Sequence, residues 1–264
     1  LLSKDYSVSC ASCHLPELAF ADNSPKSAGV HKQNVGRRNS YSLANVGYLE
    51  ALFMEGGVPS LELQVLAPLG ERNEMDLQIR DAVLRMQADS IYVQMSADAY
   101  DREIDPWVVT RALAAYQRTL VSGNSDFDRY YYQKEDEAMS IDAKEGWKHF
   151  QSLGCVSCHQ LPLFTDQGYH NIGLYTKYAD SGRARLTDRP EDHGKFRTPS
   201  LRNVAVTGPY MHDGSFVTIQ EVITHFESGG LAHQNRSPLI RPLQVDSTQK
   251  SQLIAFLTCL TDSS

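Results

Sequence analysis

Apolar residues recur near a helical period through much of this chain, and no long stretch alternates as a strand would, so the pattern predicts a mainly α protein. From Asp76 to about Met95, the positions Leu77, Ile79, Val83, Leu84, Met86 and Ile91 mark one predicted helix. Asp105-Pro106 supplies an N-cap and an N1 proline for a second helix, which runs through Trp107, Val108, Leu113, Ala114, Tyr116 and Leu120 to Ser122-Gly123. Residues 126–139 are polar and acidic with three tyrosines, and read as a linker with solvated charges. Ser140 caps a helix through Trp147 and Phe150 that stops at Gly154. Thr218-Ile219-Gln220-Glu221 is a capping box opening a helix that ends at Gly229-Gly230, and Ser247 to Leu260 forms a closing amphipathic helix. Long loops separate these elements.

A length of 264 residues with 41% hydrophobic content suits two compact domains, here 1–132 and 133–264. The formal charge of −7, with both signs interspersed, argues against a nucleic-acid partner. No apolar run of 18 residues is present, so no membrane span is expected.

Four of the five cysteines lie in two pentapeptides, Cys10-Ala11-Ser12-Cys13-His14 and Cys155-Val156-Ser157-Cys158-His159. In a CysXXCysHis segment both thiols can form thioethers to one porphyrin while the adjacent imidazole reaches the iron. Roughly 0.003 such motifs are expected by chance at this composition, so two copies point to two covalent c-type haems held by Cys10, Cys13, Cys155 and Cys158, with His14 and His159 as iron ligands. Zinc would require a further Cys or His pair close to each motif, and none is present. Thioether attachment takes place outside the bacterial cytoplasm, which predicts a periplasmic protein whose signal peptide has been removed. The porphyrins also account for the long loops, because each supplies part of a core. Cys259 reads as a structural thiol.

Downstream of the first motif, Leu52-Phe53-Met54-Glu55-Gly56-Gly57 leads into Ser60-Leu61-Glu62-Leu63-Gln64, then Pro68 and Asn73-Glu74-Met75. This series resembles the distal-pocket signature of the bacterial di-haem cytochrome c peroxidase and MauG superfamily, with ten residues from Met54 to Gln64 and ten more to Glu74. The resemblance implies two haem domains of cytochrome c type, with Glu74 as the distal acid-base residue, Gln64 as its hydrogen-bonding neighbour and Pro68 in the pocket lip. The chemistry agrees: reducing peroxide requires a proton to move from one oxygen to the other, and a nearby carboxylate can carry it. An uncharged amide can orient peroxide without ligating ferric iron.

In the second half, Phe196-Arg197-Thr198-Pro199-Ser200-Leu201-Arg202-Asn203 through Tyr210-Met211-His212-Asp213-Gly214-Ser215 resembles the corresponding superfamily block. Together with Arg189-Pro190-Glu191-Asp192 and Ser237-Pro238-Leu239-Ile240, it most resembles the MbnH branch of MauG-like enzymes. Membership implies one substrate-accessible iron and one six-coordinate iron, and allows one calcium ion. Family members usually carry an amphipathic helix before the first haem motif, whereas nine residues precede it here. Two departures follow. Met54 stands where the family places a tryptophan between the haems, with Trp107 and Trp147 as alternatives that also read as helix packing. Phe226, fourteen residues after His212, stands where the family places a Met or Tyr ligand. His225, Met211 or no side chain then completes the second iron. His31 matches the spacing of the peroxidases' reversible distal histidine or is a loop residue, while His170 and His212 read as loop or propionate contacts.

Three functional readings follow. Peroxide reacts at the first haem and the oxidising equivalents are spent on an aromatic residue of a periplasmic partner protein, tryptophan in the MbnH-like case. Alternatively the protein reduces peroxide to water with electrons from a small cytochrome c or cupredoxin. Simple electron transfer is the third reading, which Glu74 and Gln64 disfavour.

Overall fold

The computed structural model describes residues 1–31 and 36–262, and these form two compact units. The first comprises Leu1–Leu52 and Val58–Val121; the second comprises Phe53–Gly57 and Ser122–Ser264. The architecture is mainly helical, as the periodicity predicts.

The first unit carries α1 (Leu61–Gln64), α2 (Leu66–Gly70), α3 (Ile79–Gln87), α4 (Ser90–Tyr100) and α5 (Pro106–Thr119). Asp105 caps α5 by accepting the Val108 N–H at 2.9 Å, with Pro106 at N1, as expected. The single helix expected from Asp76 to Met95 is instead two. The chain breaks at Ala88-Asp89, where the Asp89 side chain accepts the Ile91 N–H at 2.9 Å and starts α4 anew. The restart changes the helical phase, so Ile91, which falls on the apolar stripe in the sequence pattern, is 67% exposed. Leu69, Met75, Leu77 and Ala82 form one small core, and Leu43, Val46, Leu52, Leu61 and Ala114 another.

The second unit holds α6 (Asp126–Tyr131), α7 (Ile141–Ser152), α8 (Ala184–Thr187), α9 (Ile219–Ser228) and α10 (Ser247–Thr258). One short antiparallel pair, β1 (Tyr169–His170) with β2 (Phe196–Arg197), sets Tyr169 opposite Arg197. The capping predictions for α7 and α9 hold: Ser140 accepts from Ala143, Thr218 and Glu221 form a reciprocal capping box, and Gly229 closes α9 at φ +76.

Residues 126–139 are not a solvated linker. Phe127 is fully buried among Trp147, Phe164 and Phe256, and Asp128 is buried in a bidentate pair with Arg202. Apolar residues at Phe127 and Met139 anchor a stretch whose average composition is polar, and the units accordingly divide at Val121/Ser122 rather than at residue 132.

Helices α7 and α10 meet closely at Gly146, where an added Cβ would lie 1.9 Å from the Gln252 carbonyl oxygen. Because the obstacle is backbone, Gly146→Ala is expected to destabilise the second unit by about 1–3 kcal/mol. A lowered urea midpoint at an unchanged slope is the measurement.

Candidate haem and peroxide site

Each CysXXCysHis segment folds as a short 3₁₀ turn, Cys10–Ser12 and Cys155–Ser157, with the histidine N–H bonded to the first cysteine carbonyl at 3.0 and 2.9 Å. None of the four cysteines is in a disulfide. His14 Nδ1 lies 2.8 Å from the Phe20 carbonyl oxygen, and His159 Nδ1 lies 2.9 Å from that of Phe164. A carbonyl can only accept, so Nδ1 carries the proton and Nε2 keeps its lone pair for a metal. Burial holds both imidazoles below the ordinary histidine pKa, favouring the neutral form that ligates.

Two free thiols beside one oriented imidazole, repeated in both units, fit covalent haem. Cys158, Asp166 and His170 also cluster within metal-binding reach. However, His170 is already bonded to Asp166 at 3.0 Å, and no equivalent trio accompanies the first motif among the described residues. The shared haem geometry is the better account of both motifs.

The sequence-designated Glu74 sits in the same unit as the first motif. A loop from Asp22 to His31 positions it: the Val30 N–H donates to the Glu74 carbonyl at 2.8 Å. Gly29 is buried against the same backbone, where a Cβ would lie 2.2 Å from the Asn73 oxygen and 2.4 Å from that of Glu74. The Glu74 carboxylate is close enough to act electrostatically on Cys13, whose thiol is raised first by burial and further by Asp22 and Glu74. Among the described residues, no side-chain or backbone donor engages this carboxylate. Although the side chain keeps solvent access, surrounding protein penalises its charged form and the Glu71 charge adds to the effect, raising its pKa above the ordinary glutamate value. A carboxyl with a raised pKa is suited to both accepting and returning a proton.

Gln64 is buried at the end of α1. Ser60 caps that helix, and the Glu62–Arg118 ion pair at 2.8 Å ties it to α5. Pro68 lies in α2, where its carbonyl accepts the Met75 N–H at 3.3 Å, one residue after Glu74. The three sequence-designated residues thus belong to adjoining segments of one unit. His31 is bonded through Nε2 to Asp76 Oδ2 at 2.8 Å, and Lys4 joins the same carboxylate at 2.7 Å.

In the second unit, His225 Nε2 lies 3.1 Å from the Ile172 carbonyl oxygen, which ties α9 to that loop. Met211 takes a left-handed backbone at φ +73. His212 stacks on Phe196 with centroids 4.0 Å apart. Trp147 is a core residue, whereas Trp107 is exposed beneath the guanidinium groups of Arg102 and Arg111.

Sequence reasoning missed the support of the Met54 segment. Glu55 is 1% exposed and paired with Arg185, while Arg183 donates to the Glu55 carbonyl at 2.9 Å and the Arg197 N–H donates to the Met54 carbonyl at 2.6 Å. Gly56, at φ +75, admits the Tyr169 hydroxyl, which would lie 1.8 Å from any Cβ. The Glu-Gly pair was the available signal, but its arginine partners lie about 130 residues downstream.

The family model described as di-haem cytochrome c peroxidase matches residues 1–137. The chain is 35% identical to the methylamine utilization protein MauG of Methylorubrum extorquens, over 98% of this chain and 74% of that protein. It is 34% identical to the cytochrome-c peroxidase IdrP1 of Pseudomonas sp. strain SCT, over 99% of this chain and 78% of that protein. A crystal structure of a MauG-like protein associated with microbial copper homeostasis superposes with a TM-score of 0.94 at 32% identity, covering 100% of this chain and 86% of the other. With paired haem-attachment turns in both units and relatives that match along nearly its whole length, the chain belongs to the di-haem cytochrome c peroxidase and MauG family of haem oxidoreductases.

Proposed function

We propose that this chain is a periplasmic MauG-like enzyme that reduces hydrogen peroxide in its first unit and spends the oxidising equivalents on an aromatic residue of a partner protein, tryptophan by the MbnH resemblance. The observation that carries the peroxide step is the Glu74 carboxylate beside the Cys10–His14 motif, without a hydrogen-bond partner among the described residues and with a raised pKa. Covalent haem at Cys10, Cys13 and His14 would supply the iron chemistry that cleaves peroxide, with a second haem at Cys155, Cys158 and His159 storing electrons. Glu74 takes the proton from one peroxide oxygen and returns it to the departing one, which leaves as water. Gln64 orients the peroxide through its amide. The His14 Nδ1–H bond to Phe20 fixes the imidazole tautomer and leaves the Nε2 lone pair available to a metal.

Protein modification is favoured by the likeness to the MauG-like structure and by Phe226, which cannot supply the methionine or tyrosine ligand expected of a relative. A second reading, peroxide reduced to water with electrons from a small cytochrome c or cupredoxin, is supported by the likeness to a cytochrome-c peroxidase at similar identity. Incubating the holoenzyme with peroxide and its periplasmic partner should add oxygen to an aromatic residue of the partner, read by mass spectrometry. Rapid peroxide consumption with a reduced cytochrome or cupredoxin, and no modified partner, would replace the first reading with the second.

Both readings need two haems. A pyridine haemochrome assay on denatured protein is expected to find two haems per chain still attached; one haem, or bound zinc, would overturn both.

A further inference from the structure

Apart from the haem motifs, the second unit contains a pocket of about 630 Å³ lined by Lys177, Tyr178, His193, His233, Gln234 and two small neutral residues. None of the lining residues is acidic, although acids outnumber bases 32 to 25 in the chain. Lys177 has no ion-pair partner among the described residues.

One fully buried residue builds the walls. Asn171, 0% exposed, donates through Nδ2 to His233 Nδ1 at 3.2 Å and to the His193 carbonyl at 3.3 Å. Its Oδ1 accepts the Tyr178 hydroxyl at 3.2 Å and the Gly173 N–H at 2.9 Å. Gly194 lets the chain close over this hub, since a Cβ there would lie 2.6 Å from Asn171 Nδ2 and 2.8 Å from the Tyr178 ring. The His193 and His233 rings lie within 10° of parallel with centroids 6.2 Å apart, and Tyr178 stands nearly perpendicular to both.

The same bonds fix what the pocket can offer. His233 Nδ1 also accepts the Asn235 backbone N–H at 3.1 Å, and an amide N–H can only donate. In the neutral ring the proton therefore resides on Nε2, which has no acceptor among the described residues. A protonated Nε2 cannot ligate a metal ion, so His233 presents a donor rather than a lone pair to the pocket, beside the Lys177 cation. Such an array recognises oxygen acceptors carrying negative charge.

We propose that this pocket binds a small oxyanion of the carboxylate or phosphate class through the Lys177 ammonium, the His233 Nε2–H and the His193 imidazole. The site does not depend on the peroxide reading. Isothermal titration of the intact di-haem protein with inorganic phosphate and, separately, with succinate is the test, with the haem absorption spectrum recorded alongside. A saturable heat from either anion is expected, with the spectrum unchanged because the ion does not bind iron. Affinity should fall about tenfold in Lys177→Ala and again in His233→Ala, the loss of one charge-assisted contact each. Arg241→Ala, which removes the same charge outside the pocket, should leave it intact. Phosphate alone or succinate alone giving heat would identify the class. Absence of heat from both, heat that both pocket variants retain, or heat accompanied by a haem spectral shift would overturn the proposal. Lys177 is exposed and its truncation leaves the fold alone, so the test stands even where His233→Ala misfolds.

Discussion

Glu74→Gln is expected to slow peroxide reduction by about 10²-fold or more while both haems stay attached and the ferric spectrum is nearly unchanged. The substitution keeps shape and hydrogen-bonding capacity but removes the ability to accept a proton. Stopped-flow mixing with peroxide measures the rate directly, and a variant reacting at the parental rate would remove Glu74 from the mechanism. The pH dependence gives an independent check. A base must be ionised to accept, and surrounding protein followed by the Glu71 charge raises the Glu74 pKa above its ordinary value. Activity should therefore rise with pH through a limb lying above the usual glutamate range. Glu71→Gln, which removes the like charge, should move that limb to lower pH without abolishing turnover.

Asp128→Ala is expected to destabilise the second unit by about 3–5 kcal/mol, because it strands a buried guanidinium. Arg202 donates to Asp128 at 2.7 and 2.9 Å and to the Pro162 carbonyl at 2.9 Å, and both charged side chains are 5% exposed or less. Ser125 adds its N–H and hydroxyl to the same carboxylate at 3.0 and 2.7 Å. Burial alone would raise the Asp128 pKa, but the bonds from Arg202 and Ser125 outweigh it and hold the carboxyl below its ordinary value. A carboxyl depressed in the folded state stabilises above its unfolded pKa and loses that contribution as pH falls through the folded one. The parent's contribution from this pair should thus persist at neutral and mildly acidic pH and vanish only in strong acid. In the variant that acid-dependent loss should be absent. Thermal unfolding followed across pH reads both effects, and an Asp128→Ala protein as stable as the parent would show the pair to be dispensable.

The sequence by itself determined the local features. The two CysXXCysHis spacings, the Asp105-Pro106 start of α5, the Ser140 and Thr218 caps and the Gly229 stop each depend on contacts within about one helical turn, so residue type and spacing suffice to specify them. The candidate set Gln64, Pro68 and Glu74 came instead from the family pattern, not from local contacts. Tertiary structure decided what depends on distant partners. Composition marked residues 126–139 as a linker, yet Phe127 finds an aromatic core and Asp128 finds Arg202, 74 residues away. The apolar period ran through Ala88-Asp89, but a side-chain cap there outweighed it. The anchoring of the Met54 segment by arginines, the loop that holds the Glu74 backbone through Gly29, and the Asn171 hub that fixes one histidine tautomer all join residues remote in sequence. Their energetics come from burial and directional bonding, which the chain acquires only when it folds.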